Sequence, residues 1–379
     1  MKTYKGEYAM KQHVPFRYDY VGSFLRPQQL KDAREQYQKN LITKEQLKEV
    51  EDVCILDLIQ KQKDAGYHVI TDGEFRRFWW HMDFFWGLNG IEYKATKEGL
   101  QFHGEKTKAE TAVVVGKISG ENHPFIEHYK FVKAQEDENT IAKQTIPSPA
   151  QLLAQLRLPE YLDQLREVYP TDEELKEDIV HAYQTVIQEL YAAGCHNLQL
   201  DDCTWTLYAD RSFWKVFGIT EEILKQIAQE EIALNNASIA NHPSDMVIAT
   251  HVCRGNFHST YANEGAYDPI APYLFAQENV DAFYLEYDDV RSGGFEPLKY
   301  IPKEKKVVLG LITTKSAELE DKNRIIRRIH DAAQYVPLEN LCLSPQCGFA
   351  STEEGNKLTE QQQWDKLALV KEIAESVWK

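Results

Sequence analysis

The pattern that most constrains the fold is an alternation of short β-rich runs with helical stretches along almost the whole chain. Eight runs read as buried strands: 20–24, 68–72, 140–146, 197–201, 246–252, 282–287, 306–312 and 341–344. Helices are predicted at 43–65, 171–193, 221–241 and 316–335. Such alternation favours a parallel sheet, because parallel strands need crossover connections. Eight units fit a closed barrel, so the sequence predicts one α/β domain over residues 1–379, a single (β/α)8 TIM barrel.

One region breaks this rhythm. Residues 93–131 alternate in the manner of strands, so we expect a β-hairpin excursion between the second and third strands. The competing architecture is a doubly wound open sheet. The sequence has no GxGxxG turn to support that alternative, and the barrel is therefore favoured.

The charge and cysteine content narrow the class of protein. With 59 acidic and 43 basic residues the formal charge is −16, which argues against nucleic acid and anionic membranes as partners. No apolar run is long enough to span a bilayer, and the N-terminus lacks a signal-peptide pattern, so a cytoplasmic location is predicted. Six cysteines without a CxxC pair do not form a disulfide scaffold; in a reducing compartment they are packing residues, nucleophiles or metal ligands.

Polar residues gather where the predicted strands end. The set comprises Ser23, Asp72-Gly73-Glu74, Asp201-Asp202, His251-Val252-Cys253, Glu286 and Cys347. In barrels of this kind the chemistry lies at the carboxyl ends of the strands. We therefore expect these side chains to converge on one site.

The pair His251 and Cys253 suggests a metal. Two residues apart on an extended run, their side chains point to the same face. Imidazole with thiolate suits zinc better than magnesium or calcium, and Glu286 and Cys347 would complete a tetrahedral set. The spacing alone also allows a core histidine beside a packing cysteine, and that alternative stays open at this stage.

Six segments together resemble one known family, the cobalamin-independent methionine synthases, in their C-terminal catalytic barrel. The segments are Val21–Pro27 (VGSFLRP), Asp72–Glu74 (DGE), Leu198–Asp201 (LQLD), His251–Cys253 (HVC), Tyr284–Glu286 (YLE) and Ser344–Gly348 (SPQCG). They occur in the family's order from about residue 15 to 350. The chain is similar to the short, single-barrel homologues of that catalytic half.

The resemblance implies roles for particular residues. It implies Zn²⁺ held by His251, Cys253, Glu286 and Cys347, and an amino-acid substrate held near three further residues: Ser23, Glu74 and Asp201. Two buried carboxylates need a cation, which a substrate ammonium group would supply. The alternative is that these acids pair with Arg76 or a lysine at the barrel rim.

Departures from the family pattern leave the methyl donor open. Asp-Glu-Pro becomes Asp201-Asp202-Cys203, Pro-Asp-Cys becomes Pro345-Gln346-Cys347, and a histidine after the seventh strand is replaced by Thr313-Thr314-Lys315. The tryptophan expected to stack on a pterin after the third strand is missing; Trp79, Trp80, Trp86 or Trp205 are alternatives for that role. Methyltetrahydrofolate, a methylated corrinoid protein and S-methylmethionine all remain candidates.

The sequence therefore predicts a zinc-dependent methyltransferase that activates a thiol, homocysteine, and yields methionine. Its partners would be homocysteine and a methyl donor, with a corrinoid protein as one possible donor; the oligomeric state is left open. Asp202 and His258 are the candidates for proton delivery. The alternatives are a catalytically degenerate zinc- or metabolite-binding homologue, and a barrel glycosidase that uses Glu74 and Asp201.

Overall fold

The computed structural model describes residues 13–379. Within this range the strands are β1 (Val69–Ile70), β2 (Asn89–Ala95), β3 (Glu110–Ser119), β4 (Ile141–Ala142), β5 (Gln144–Pro147), β6 (Asn197–Asp202), β7 (Val247–Val252), β8 (Ala282–Glu286), β9 (Lys306–Ile312) and β10 (Leu341–Pro345). The α-helices are α1 (Gln28–Gln38), α2 (Lys44–Asp64), α3 (Met82–Phe85), α4 (Phe125–Lys133), α5 (Pro149–Leu156), α6 (Leu162–Val168), α7 (Asp172–Ala192), α8 (Thr204–Ala209), α9 (Arg211–Phe217), α10 (Glu221–Ile239), α11 (Ala271–Gln277), α12 (Lys322–Ala332) and α13 (Glu360–Val377).

The centre of the molecule is a six-stranded parallel sheet in the order β10-β9-β8-β7-β6-β5. A second parallel pair joins β1 to β4, and only Lys143 separates β4 from β5. One isolated parallel bridge links Tyr18 to Leu343 in β10. The α/β prediction is confirmed, whereas the hydrogen bonds among residues 13–379 join six strands in one sheet and do not close an eight-stranded ring.

The predicted first strand, 20–24, is wrong as a strand. Three of its carbonyls accept from side chains: Lys143 donates to the Tyr20 carbonyl, and Gln199 Nε2 donates to the Val21 carbonyl at 3.0 Å. Thr71 Oγ1 donates in turn to the Gly22 carbonyl at 2.9 Å. A backbone already bonded in this way has no ladder to form with a neighbouring strand.

Other predicted bounds shift for similar local reasons. The strand predicted at 68–72 shrinks to β1, because Gln62 Oε1 accepts the Thr71 N–H at 2.8 Å. The helix predicted at 316–335 begins only at Lys322, where the Asp321 side chain caps it. By contrast α7 begins where predicted, with Thr171 Oγ1 accepting from the Glu174 N–H at 3.3 Å.

The predicted hairpin excursion is present. Strands β2 and β3 pair antiparallel, with Tyr93 opposite Ala112. The prediction ran too far, since residues 125–133 form α4. The connection between the two strands, residues 96–109, extends over the carboxyl edge of the parallel sheet, where Phe102 contacts Phe257 with 5.4 Å between ring centroids.

Every residue of β6 and β8 is buried, and in β7 and β9 every residue but the first is buried. Strands covered on both faces need near-continuous apolar runs, and this is why most of them could be predicted from the sequence. Within residues 13–379 no helix is long and apolar enough to cross a membrane.

Candidate metal centre

Four side chains at the carboxyl ends of β7, β8 and β10 form a compact cluster. The ligand atoms of His251, Cys253, Glu286 and Cys347 all lie within 4.8 Å of one another, and all four residues are buried. The two Sγ atoms are 3.6 Å apart. A set of two thiolates, one imidazole and one carboxylate at this spacing matches the ligands of a tetrahedral zinc site.

The unpaired polar atoms of the cluster are of the kind that bind a cation. Among the described residues, both ring nitrogens of His251 and Oε2 of Glu286 are buried without a hydrogen-bond partner. The other carboxylate oxygen, Oε1 of Glu286, accepts the Arg254 backbone N–H at 2.8 Å. Buried polar atoms are rarely left unpaired in native proteins, so the residues fit a bound metal.

The pKa shifts of the cluster residues also fit a bound metal. The contact with Cys253, together with burial, raises the pKa of the Cys347 thiol well above its usual range. Burial lowers the pKa of His251, but the adjacent Cys347 and Glu286 outweigh that effect and raise it. Crowded acidic groups of this kind share a site only when protons or a cation neutralise them.

The strand register brings these residues together. His251 on β7 pairs with Tyr284 on β8, two residues before Glu286, so both ligands leave the sheet at its carboxyl edge. Cys347 follows β10 by two residues. Side chains that are far apart in sequence therefore meet because parallel strands end on one side.

A cavity of about 340 Å³ opens beside the cluster. It is lined by three of the four cluster residues and by all three residues predicted to hold an amino-acid substrate: His251, Cys253 and Cys347, with Ser23, Glu74 and Asp201. The convergence of the predicted residues on one site is thus observed, although their roles remain predictions.

Glu74 and Asp201 are buried acids on the cavity wall. Oε1 of Glu74 lies 3.2 Å from Arg77 Nη1 and accepts from Thr145 Oγ1 at 3.0 Å, while Oε2 has no partner among the described residues. Burial raises the pKa of Glu74, and burial followed by the nearby Glu74 raises that of Asp201 well above its usual range. Arg76, the partner considered from the sequence, pairs instead with Glu51 and Asp52.

Ser23 is fixed by the loop that carries the last cysteine. Its carbonyl accepts the Phe349 N–H at 2.9 Å, and its Oγ accepts the Ala350 N–H at 3.3 Å. A Cβ at Gly348 would lie 1.9 Å from Ser23 Oγ, so only glycine permits this approach. The glycine after Cys347 thereby lets Ser23 pack directly against the loop that carries this cysteine.

The two predicted proton donors do not line the cavity. Asp202 is buried behind it, where Oδ2 accepts from Ser148 Oγ at 2.6 Å and Oδ1 accepts from Thr204. His258 lies outside, with Nδ1 3.4 Å from Glu105 Oε2. Asp202 has the contacts of a structural carboxylate that holds the turn into α8.

Several lining residues were missed from the sequence. The hairpin connection contributes Leu100, Gln101, Phe102 and Thr107 to the cavity, so the excursion covers the site. Cys203 also lines it, beside the metal-centre residue Cys253. The position of Cys203 beside Cys253 follows from the strand register. Asp202 on β6 pairs with Val252 on β7, and each of these residues is directly followed by its cysteine.

Two departures from the family pattern contact each other. Gln346 Oε1 accepts the Thr314 N–H at 2.6 Å, and Gln346 Nε2 donates to Thr314 Oγ1 at 3.0 Å. Lys315 turns away and binds Asp288 at 2.8 Å. An uncharged amide–hydroxyl pair therefore lies directly beside the Cys347 loop.

The chain is similar to known proteins over nearly its full length. Residues 18–375 match the family model described as cobalamin-independent synthase, catalytic domain. Uncharacterized protein YxjG of Bacillus subtilis (strain 168) is 46% identical over 374 residues, 97% of this chain and 96% of that protein. The structure of the putative vitamin-B12 independent methionine synthase from Listeria monocytogenes is 39% identical with a TM-score of 0.76, covering 96% of this chain and 98% of that one. A B12-independent methionine synthase structure from Shewanella sp. W3-18-1 has a TM-score of 0.73 at 21% identity, covering 95% and 97% of the two chains, and bears on the fold alone.

Fold and cluster together define an α/β protein with a thiolate-rich candidate metal centre at the carboxyl edge of a parallel sheet. The chain belongs to the family of cobalamin-independent synthase catalytic domains. The resemblance drawn from the six sequence segments is thereby confirmed.

Proposed function

We propose that this chain is a zinc-dependent methyltransferase that binds homocysteine and methylates its thiol to give methionine. The observation that carries the proposal is the buried cluster of His251, Cys253, Glu286 and Cys347, with unpaired imidazole nitrogens and an unpaired carboxylate oxygen. Family membership supports a methyltransferase, and the relative from Listeria monocytogenes is described as a putative vitamin-B12 independent methionine synthase. The closed (β/α)8 barrel belongs to the same proposal, supported by the Tyr18–Leu343 bridge and the β1–β4 pair that flank the six-stranded sheet.

Zinc, when bound, supplies the means to keep a substrate thiol deprotonated and nucleophilic at neutral pH. The protein contributes an anionic donor set, which makes that sulfur electron-rich. Of the four residues that would hold zinc, Glu286 would be the weakest ligand, because a carboxylate suits a soft metal less well than thiolate or imidazole. The bond from the Arg254 N–H to Oε1 would hold this carboxylate in position.

The amino-acid end of homocysteine would bind on the opposite wall. Oε2 of Glu74 is unpaired and buried, and Asp201 shares the cavity with it. An ammonium group donating to these carboxylates would ionise both and offset their burial. Ser23 supplies a hydroxyl beside them. This pairing would aim the substrate thiol at the cluster.

X-ray absorption at the zinc edge, with and without homocysteine, tests the proposal. The two cysteine ligands predict two sulfur neighbours in the resting protein and three once the thiol binds. Zinc that keeps two sulfur neighbours would instead favour a degenerate, binding-only homologue. The glycosidase alternative leaves the cluster without a role.

The ligand set has a matched pair of variants. Cys347→Ser should lose most of the bound zinc, measured as metal stoichiometry after dialysis, because a hydroxyl is a poor zinc ligand. Cys342→Ser is the control, since Cys342 is equally buried on β10 and its Sγ contacts the Pro15 carbonyl at 3.7 Å, away from the cavity. Full zinc retention in Cys347→Ser would contradict the assignment.

A further inference from the structure

The cavity also indicates which class of compound provides the methyl group. Resting on the function proposed above, we propose that the donor is a small methylsulfonium compound that binds between aromatic walls beside the cluster. The homocysteine sulfur would bond to the methyl carbon while the donor's S–CH₃ bond breaks with its electron pair going to the donor sulfur. An anionic thiolate and a cationic sulfonium thus become two neutral thioethers, and no proton is needed.

The charge of the lining favours a cation. Among residues 13–379, no lysine or arginine side chain lines the cavity, whereas Glu74 and Asp201 do. His81, also in the lining, is neutral because burial lowers its pKa to about 3. A donor with net negative charge would find no positive side chain in the cavity to offset its desolvation, whereas a methylsulfonium compound such as S-methylmethionine carries net positive charge. A sulfonium ion enters a negative field and leaves as a neutral molecule.

Aromatic residues line the cavity beside the cluster, among them Trp80, Phe102 and Phe257. The backbone N–H of Trp80 donates to the Ser351 carbonyl at 2.9 Å, and Ser351 Oγ is 4.0 Å from Cys347 Sγ. Phe102 lies against Gly255, two residues after Cys253, and contacts Phe257. Faces of aromatic rings attract compact organic cations, and desolvation strengthens the attraction.

The size of the cavity and the uncharged groups beside the Cys347 loop agree with this class. A volume of about 340 Å³ lies at the small end of ligand pockets, which leaves room for homocysteine and one further small molecule. An amine leaving group would need a positioned acid. The groups beside the Cys347 loop, Gln346 and Thr314, do not titrate, and Glu74 and Asp201 are assigned to the substrate ammonium group.

A binding experiment tests recognition by itself. Trimethylsulfonium and its uncharged analogue dimethyl sulfide would be titrated calorimetrically into the zinc-loaded full chain without homocysteine. We expect the cation to bind at least about tenfold more tightly. Equal affinities would overturn the proposal.

Variants locate the binding surface. Trp80→Leu should lose most of the affinity for trimethylsulfonium, and Trp80→Phe should retain most of it, because only the second keeps an aromatic face. Tyr93→Leu is the control, an exposed aromatic on β2 outside the cavity. Equal losses in Trp80→Leu and Trp80→Phe would indicate a structural role and contradict the aromatic site.

Turnover separates this inference from the function on which it rests. The zinc-loaded protein would receive homocysteine with methyl-deuterated S-methylmethionine, 5-methyltetrahydrofolate or methylcobalamin, and labelled or new methionine would be detected by mass spectrometry. Transfer from S-methylmethionine supports the proposal. Transfer only from one of the other two donors overturns the sulfonium donor and leaves the methyltransferase standing. If homocysteine fails to join the zinc sulfur shell, both are overturned.

Discussion

At the scale of single residues, Glu74 combines three unusual properties. Its backbone is in the left-handed region with φ 61°, its side chain is buried, and one carboxylate oxygen has no partner among the described residues. A non-glycine residue in this conformation costs about 1 kcal/mol or more and persists where the surroundings require it. The strain aims the carboxylate into the cavity, where the proposed function needs it.

Glu74→Gln should weaken homocysteine binding. The amide keeps the shape but loses the charge-assisted bond to the ammonium group, so KM should rise by about 10- to 100-fold with a smaller change in kcat. Steady-state kinetics with varied homocysteine measures this. Glu51→Gln breaks a comparable pair, with Arg76 at 3.1 Å, outside the cavity and should leave KM unchanged. An unaltered KM in Glu74→Gln would remove it from the substrate site.

A second single-residue effect concerns pH and stability. Glu278 is buried after α11, with one oxygen accepting from Asn235 Nδ2 at 2.9 Å and the other unpaired among the described residues. Burial raises its pKa from 4.5 to about 8. The carboxyl group of Glu278 therefore loses its proton near pH 4.5 in the unfolded state but keeps it up to about pH 8 in the folded state. Stability falls over that window and levels off above it.

Glu278→Gln should remove this pH dependence. The wild type should lose about 1.4 kcal/mol of unfolding free energy per pH unit more than the variant between pH 5 and 8. Urea titrations at several pH values measure the difference in unfolding free energy between the two proteins. The contributions of all other ionisable groups cancel in this difference. Parallel pH profiles of the two proteins would show that Glu278 ionises normally in the fold.

At the scale of elements, the hairpin of β2 and β3 decides how closed the site is. Its connection, residues 96–109, contributes four residues to the cavity lining. Charged contacts join this connection to the rim, among them Glu105 with Lys357 at 2.6 Å and Lys108 with Glu353. The antiparallel ladder is complete without it, since the Thr96 N–H donates to the Ala109 carbonyl at 2.9 Å.

Replacing residues 97–108 with Asn-Gly should open the cavity and leave the fold intact. Asn-Gly forms the two-residue turn that such a hairpin prefers, directly after the Thr96–Ala109 bond. In the zinc-free protein the alkylation rate of Cys203, followed by mass spectrometry, should rise several-fold because the cavity cysteine becomes accessible. Cys342, buried elsewhere, should not change. An unchanged Cys203 rate would mean that the connection does not cover the site.

At the scale of the whole molecule, a buried ion pair joins the segment before α1 to the parallel sheet. Lys143 Nζ lies 2.7 Å from Asp19 Oδ1, and the two side chains are almost fully buried. Asp19 Oδ2 accepts from Tyr284 Oη on β8 at 3.0 Å. Asp19 thus links Lys143 and Tyr284, so that three separate parts of the chain are joined through side chains. Among the described residues, no strand pairing joins these three residues directly.

Lys143→Met should destabilise the protein by about 3–5 kcal/mol, because it leaves the Asp19 charge buried and unpaired. The double variant Lys143→Met with Asp19→Asn should recover much of that loss, since neither charge remains. The midpoint of urea unfolding measures both. A double variant no more stable than Lys143→Met would show that packing, and not the unpaired charge, causes the loss.

Much of the site was predictable because its residues obey local rules. His251 and Cys253 share a face through the two-residue period of a strand, and Cys347 and Glu286 were reached through strand ends and the family segments. The predictions that were wrong concern contacts that only the tertiary structure creates. Arg76 and Arg77 are neighbours of the same type, and only the fold decides that Arg77 meets Glu74.

The sequence by itself determined the α/β class, most of the parallel strands and the ligand types, because buried strands need continuous apolar runs and soft metals need thiolates. Only the tertiary structure decided that residues 20–24 form no strand, that Asp202 lies behind the cavity, and that the hairpin connection covers the cavity. The physical reason is that these outcomes depend on contacts between residues far apart in the chain, which no local periodicity encodes.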